Sequence, residues 1–130
     1  MILSGYIIFD IKVGIMGGEV VTVQYVVDIR QTSSYVGGMS VFQWNNEKNE
    51  WLKEHRGVCF EQVIILMERE EVLDVLEHPN QEKHPGQRIA IVRINDYGYF
   101  IPYVQDGEEI FLKTIIPSRK ATNKYVRVER

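Results

Sequence analysis

Cationic side chains near the C-terminal end are the residues of this sequence best suited to chemistry. Arg119 and Lys120 follow a Pro-Ser pair that ends a strand-like run, and they open a short helix predicted over residues 119–125. A helix N-terminus does not favour cations, because its free backbone N–H groups already carry partial positive charge. Two cations at this place instead suit the binding of an anion, since a guanidinium can hold two oxygens of a phosphate. A solvated charged surface is the alternative explanation.

Charge is distributed unevenly along the chain. The formal net charge of the 130 residues is -3, so the chain as a whole lacks the positive charge typical of nucleic-acid binders. Residues 61–82 are acidic, with Arg69 as their one Lys or Arg, whereas residues 113–130 are basic, with Glu129 as their one acidic residue. An anion would therefore meet a locally positive segment near the C-terminal end.

Several kinds of site are disfavoured by the residues that are present. The sequence has no glycine-rich phosphate loop and no dinucleotide-binding fingerprint. A single cysteine, Cys59, can form neither an internal disulfide nor a zinc site, and the three histidines lack partners at metal-ligand spacing. We therefore expect no metal and no cofactor. With no apolar run of about 20 residues and no signal-peptide pattern, we also expect a cytoplasmic protein without membrane contact.

The hydrophobic pattern of the first half predicts strands followed by helices. Apolar residues alternate over residues 6–13 and 20–29 with glycines between, which indicates a β-hairpin. A polar linker over residues 31–40 and a short strand over 41–44 are expected next. Asn45 as N-cap and Gly57 beyond the C-terminus bound a first helix, and apolar spacing predicts a second from Phe60 to about residue 70. Residues 72–77 fit either a continued helix or a strand.

Three strand-like runs make up the second half, after a polar loop over residues 78–87. They cover residues 88–94, 99–104 and 110–116 and predict an antiparallel meander. We expect Gly98 to close the first connection, Asp106-Gly107 to form a type I′ turn and Pro102 to cause a bulge. The predicted fold class is α+β: a small antiparallel β-sheet with two helices packed on one face, a short C-terminal helix and the N-terminal β-hairpin.

Two motifs resemble the BrnT family of bacterial toxins. The first runs along the chain as Phe42-Gln43-Trp44-Asn45, Lys48 and Gly57-Val58-Cys59-Phe60-Glu61. The second is Ile115-Ile116-Pro117-Ser118-Arg119-Lys120-Ala121-Thr122, with Tyr125 behind it. Gln87-Arg88 and Arg93, at the two ends of one predicted strand, match the family pattern as well. Order and spacing fit over residues 41–126.

The sequence departs from the family pattern at several positions. Asn45 stands where the family usually has aspartate, His55-Arg56 where Lys-His is usual, and Cys59 where serine is usual. Residues 1–38 have no counterpart, and Met39 lies where a family member would begin. Two interpretations are open: a toxin domain over residues 39–130 with an added hairpin, or a start at Met39 with translated upstream sequence before it.

The resemblance implies a RelE-like fold, metal-independent cleavage of RNA and a ribbon-helix-helix antitoxin partner (BrnA-like), in a homodimer or a toxin–antitoxin hetero-oligomer. In such cleavage the RNA 2′-hydroxyl attacks the adjacent phosphorus. The protein then supplies groups that move protons and cations that stabilise the phosphorane. The candidate catalytic residues are Arg119, Lys120, Arg88, His55 and Tyr125. His84 and Tyr103 are the other residues that could donate a proton. The candidate RNA-binding residues are Arg93, Lys113, Lys124 and Arg56.

A catalytically silent relative that binds a protein or regulatory partner is the alternative function. The two are distinguished by geometry: an enzyme gathers Arg88, Arg119, Lys120 and a His or Tyr into one open groove, whereas a binding module disperses them and exposes an apolar patch. Arg88 and Arg93 are five apart, so a regular strand places them on opposite faces unless Arg88 precedes it. Both tryptophans, Trp44 and Trp51, are expected in the core.

Overall fold

The N-terminal region forms a small sheet of its own in the computed structural model, which describes residues 2–3 and 5–127. Strands β1 (Ile2–Leu3), β2 (Tyr6–Met16) and β3 (Glu19–Asp28) pair antiparallel in the order β1–β2–β3. The predicted hairpin is thereby confirmed. Gly17 and Gly18, both with positive φ, form its turn. Glu129 and Arg130, counted in the basic C-terminal segment, lie outside the described residues.

The predicted linker over residues 31–40 is wrong. After a 3-10 turn (Ile29–Gln31), strand β4 (Thr32–Gly37) pairs antiparallel with β5 (Ser40–Asn45). Strand β4 is the outermost strand of the main sheet. An edge strand exposes much of its surface to solvent, so its polar serines carry no sign of a strand. Composition alone therefore made an edge strand look like a loop.

Two helices follow β5 and confirm the predicted caps. Helix α1 (Asn46–Arg56) begins after Asn45, whose side chain accepts the Lys48 N–H at 2.9 Å, and it ends before Gly57 with φ 67°. Helix α2 covers Phe60–Glu68. The buried Asn49 side chain joins the two helices: it accepts the Phe60 N–H at 2.9 Å and donates to Glu61 at 2.8 Å. No helix within the described residues is long and apolar enough to cross a membrane.

The remaining strands complete a mixed sheet. They are β6 (Asp74–Glu77), β7 (Arg88–Ile94), β8 (Tyr97–Asp106), β9 (Glu109–Leu112) and β10 (Ile116–Pro117). The sheet order is β4–β5–β9–β8–β7–β6, with β10 also on β8. Strands β5 and β9 pair parallel, so the prediction of an antiparallel sheet is wrong at this pair. Alternation in a sequence shows strand faces but not which distant strands become neighbours.

Details of the meander correct two further predictions. Asn95 and Asp96, both with positive φ, form the β7–β8 turn, and Gly98 lies within β8 instead. Pro102 pairs with Ile89 without a register shift, so there is no bulge. The Pro102 carbonyl accepts the Lys113 N–H just beyond the end of β9. The nitrogen of Pro102 points to the same side of β8 as its carbonyl, where β9 has already ended. The N–H that proline lacks therefore removes no hydrogen bond between β8 and β9.

The main sheet is covered on both faces. One face packs on α1 and α2 around Leu52, Phe60, Val63 and Ile101, which confirms the two helices on one face. On the other face, Phe9 and Val27 of the hairpin sheet pack against Val104 and Phe111. The C-terminal segment, α3 (Arg119–Ala121) and a π-helical turn (Thr122–Val126), packs on β8.

Candidate functional site

Four residues of α1 form a cluster that we call the Trp51 patch: Lys48, Trp51, His55 and Arg56. The Lys48 Nζ lies 4.5 Å and the Arg56 Cζ 4.9 Å from the centre of the Trp51 ring. The His55 ring stacks on the indole, with 4.6 Å between centroids and 16° between planes. Trp51 is 38% exposed, so the expectation of a core residue is wrong for it, although it is right for Trp44. Two cationic side chains and an imidazole thus surround one accessible aromatic ring.

The hydrogen bond of His55 fixes its tautomer. Nδ1 lies 3.0 Å from the Trp51 carbonyl oxygen. A carbonyl can only accept, so Nδ1 carries the proton and, in the neutral ring, Nε2 has a free lone pair. The side chain is exposed. His55 can therefore take up a proton at Nε2, as a general base must.

The cations of the Trp51 patch are available to an anion. Within the described residues, neither Lys48 nor Arg56 forms an ion pair with a carboxylate; the two ion pairs found there involve Arg30 and Lys53. Arg56 is held instead by a 2.5 Å hydrogen bond from its Nη1 to the Ile115 carbonyl. One guanidinium nitrogen is thus anchored, while the group keeps further N–H donors.

The same hydrogen bond ties the patch to the chain that carries Arg119 and Lys120. Arg119 is four residues after Ile115, so their Cα atoms lie at most about 14 Å apart. Both Arg119 and Lys120 are exposed on α3, and Ser118 caps this helix by accepting the Ala121 N–H at 3.0 Å. The predicted short helix from residue 119 is confirmed. His55 and Arg56 are thus the predicted residues that lie in the Trp51 patch, whereas Arg119 and Lys120 are joined to it only through the chain from Ile115.

Arg88 lies elsewhere. It is the first residue of β7, not a loop residue, and it lines an open groove of about 830 Å³. Four carboxylates line the same groove: Asp10, Glu77, Glu82 and Asp106. Burial raises the pKa of the neighbouring Tyr103, with a smaller opposing effect of Arg88. This acidic groove does not include Arg119 or Lys120, so the expected gathering of Arg88 with these two cations is absent among the described residues.

Arg93, Lys124 and Tyr125 are also separate from the Trp51 patch. Arg93 is exposed. It lies five residues after Arg88 on the same strand, so the two side chains belong to opposite faces of that strand, as their spacing predicts. Tyr125 donates its hydroxyl hydrogen to Asp74 at 2.6 Å, which lowers the pKa of that carboxyl. The Lys124 ammonium lies 5.1 Å from the Tyr125 ring. Tyr125 is thereby engaged in holding the C-terminal segment to β6.

Lys113 belongs to a second cluster, with the histidines of the loop over residues 78–87. Its ammonium donates to the buried Gln87 side chain at 2.9 Å, and burial lowers its pKa. The rings of His78 and His84 lie 4.0 Å apart. Burial, followed by the charges of His84 and Lys113, lowers the pKa of His78. No set of three metal-binding side chains occurs in the part of the chain that the structure describes.

Sequence reasoning missed Lys48 and Trp51 as members of a site. Their spacing to His55 is i, i+3 and i+7, which places all three on one helix face, so this signal was readable. No family model matches the chain, and comparison with curated proteins and with solved structures gave no match. The function proposed next therefore rests on sequence motifs and on the geometry of the Trp51 patch.

Proposed function

We propose that this chain is a cytoplasmic, metal-independent endoribonuclease of the toxin type, with a RelE-like fold and a ribbon-helix-helix antitoxin as its partner. One observation carries the proposal: a histidine whose neutral ring has its lone pair on Nε2 stands beside two cations that form no ion pair with a carboxylate of the described residues. The BrnT-like motifs supply the Lys48 and Arg119-Lys120 positions, whereas His55-Arg56 departs from the usual Lys-His and is proposed on its geometry. Cleavage by a 2′-hydroxyl needs these two kinds of group and no protein nucleophile.

The proposed reaction uses the groups of the Trp51 patch. His55 Nε2 accepts the proton of the RNA 2′-hydroxyl while its oxygen attacks the adjacent phosphorus. Arg56 and Lys48 stabilise the negative charge that builds on the phosphorane oxygens, and Arg119 and Lys120 bind neighbouring phosphates. The bond to the 5′-oxygen breaks, and that oxygen takes up a proton from solvent. The products are a 2′,3′-cyclic phosphate and a 5′-hydroxyl end.

The test is the loss of cleavage on changing His55. His55→Gln removes the proton acceptor from an exposed site, so the fold should persist while the cleavage rate falls by on the order of 10²-fold. Lys53→Gln is the matched control, since Lys53 lies on the same helix but pairs with Glu50 at 3.2 Å. Growth arrest on expression, cleavage of an RNA in vitro and thermal unfolding are measured for each. Equal cleavage by His55→Gln and wild type would refute the assignment.

A protein-binding module without catalysis is the second candidate. The dispersal of Arg88, Arg93, Lys113 and Lys124 favours it, as does the acidic lining of the groove beside Arg88. Exposed apolar residues on and before the edge strand β6, Leu73, Val75 and Leu76, give a partner strand a surface to pair with. Wild-type protein that binds a partner but cleaves no RNA under any of these conditions would favour this module.

A further inference from the structure

A small cavity lies between the loop over residues 78–87 and the end of β9. Its volume is about 60 Å³, several times the roughly 15 Å³ that one water molecule needs. Three of its lining residues are basic: Lys83, His84 and Lys113. Gln87 and the two valines Val23 and Val104 form much of the remaining wall, and none of the described residues that line the cavity is acidic.

The surroundings of the cavity hold its basic groups in place. Gln87 is 4% exposed and accepts a hydrogen bond from the Lys113 ammonium at 2.9 Å. The side-chain oxygen of Asn80 accepts the backbone N–H of Lys83 at 3.2 Å, and the backbone carbonyl of Asn80 accepts the backbone N–H of His84 at 3.0 Å. The His78 ring packs on His84.

We propose that this cavity binds a phosphoryl oxyanion, held by Lys83, His84 and Lys113. Ammonium and imidazolium donors grouped around a space of this size match the tetrahedral oxygens of a phosphate. The lowered pKa values of Lys113 and His78 agree with the assignment. Burial lowers both, and the charges of His84 and Lys113 lower that of His78 further, so a nearby anion would favour the charged forms. The cavity is separate from the Trp51 patch, and the proposal does not depend on ribonuclease activity.

A purely structural cluster is the competing explanation. The acidic groove beside Arg88 shares Gln87 with the cavity and places Glu82 next to Lys83 in sequence, so its carboxylates oppose an anion. These carboxylates do not line the cavity itself. A bound oxyanion would therefore meet cations directly and the carboxylates only through solvent, where their repulsion is screened.

The experiment measures phosphate binding to the full chain. Thermal unfolding is followed in sodium phosphate and in sodium chloride of equal ionic strength, since a ligand that binds only the folded state raises the Tm. We expect phosphate to raise the Tm above the chloride value. Lys113→Gln should weaken phosphate binding about tenfold, which corresponds to losing one hydrogen bond to a charged group. Lys83→Gln, on the exposed rim, should weaken binding severalfold and cannot disturb the core.

Two controls decide the outcome. Lys53→Gln removes an exposed lysine far along the sequence from the cavity and should leave phosphate binding unchanged. A single-stranded RNA with and without a terminal phosphate, bound by the His55→Gln protein, distinguishes a nucleic-acid phosphate from free phosphate as the source. If the His55→Gln protein prefers the phosphorylated RNA more strongly than the His55→Gln/Lys83→Gln double variant does, the bound phosphate belongs to a nucleic acid. The proposal is overturned if phosphate and chloride give the same Tm, or if Lys53→Gln weakens binding as much as Lys83→Gln.

Discussion

Substitution of Gly98 by alanine should detach the segment that carries Arg119 and Lys120. A Cβ atom at Gly98 would lie 2.7 Å from the Thr122 nitrogen and 2.9 Å from the Ala121 carbonyl carbon. Both are backbone atoms, so no side chain can rotate away. The Gly98 N–H also donates to the Thr122 hydroxyl at 2.8 Å, and its carbonyl accepts the Ser118 N–H at 2.9 Å. The added methyl group therefore pushes apart two elements that these bonds hold together.

The magnitude follows from these contacts. Inserting a methyl group into a packed interface costs about 1–3 kcal/mol, and each weakened hydrogen bond adds roughly 1 kcal/mol. A loss of about 3–5 kcal/mol should lower the Tm of a chain of this size by on the order of 10–20 °C. RNA cleavage should fall as well, because Arg119 and Lys120 move with the segment.

The assay is thermal unfolding together with cleavage at a temperature where each variant is folded. Thr122→Val is the matched variant: it removes the hydroxyl that bonds Gly98 but keeps the shape of the side chain. It should cost about 1–2 kcal/mol and leave cleavage close to the wild-type rate. If Gly98→Ala unfolds at the wild-type temperature, the close packing of β8 and the C-terminal segment is refuted.

Three further outcomes are expected. Asn49→Ala should cost about 2–3 kcal/mol in urea unfolding, because the buried Phe60 N–H loses its acceptor; a loss below about 0.5 kcal/mol would contradict this. A chain lacking residues 1–31 should still unfold cooperatively, whereas one lacking residues 1–38 also loses edge strand β4 and should be clearly less stable; equal Tm values for the two would show that β4 contributes nothing. The pKa of His78 is lowered in the folded chain, so His78 takes up a proton at a higher pH when the chain is unfolded. The free energy of unfolding should therefore fall as the pH drops below about 6.5. His78→Gln should reduce that fall, and an unchanged pH dependence would count against it.

Local signals predicted the helices and the hairpin well. Asn45 and Gly57 bound α1 as caps, and the alternation over residues 6–13 and 20–29 indicated the strands that pair. These features depend on neighbours in sequence, so the sequence shows them directly. The parallel β5–β9 pair, the edge strand β4 and the place of Gly98 depend on distant partners. No local pattern encodes such contacts.

The candidate functional residues also divide into those grouped by local spacing and those grouped only by the fold. Lys48, Trp51 and His55 share one helix face, and their association follows from helical spacing alone. Lys113 meets the histidines of the loop only because the meander brings the end of β9 beside it. Arg88 was predicted beside Arg119, but it lines a groove whose carboxylates come from the hairpin sheet, from the ends of β6 and β8 and from one loop. A residue type and its position in a strand do not reveal which charges will surround it.

The parallel β5–β9 pair also bears on how the chain folds. Val41 pairs with Glu109, so these partners are 68 residues apart in sequence (109 minus 41). Closing a loop of that length costs conformational entropy before any pairing compensates for it, and contacts of high sequence separation slow folding. During synthesis, β5 and the two helices leave the ribosome well before their central strand exists. The apolar inner faces of α1 and α2 are only partly covered until residue 112 has emerged, which makes this interval the stage most exposed to aggregation.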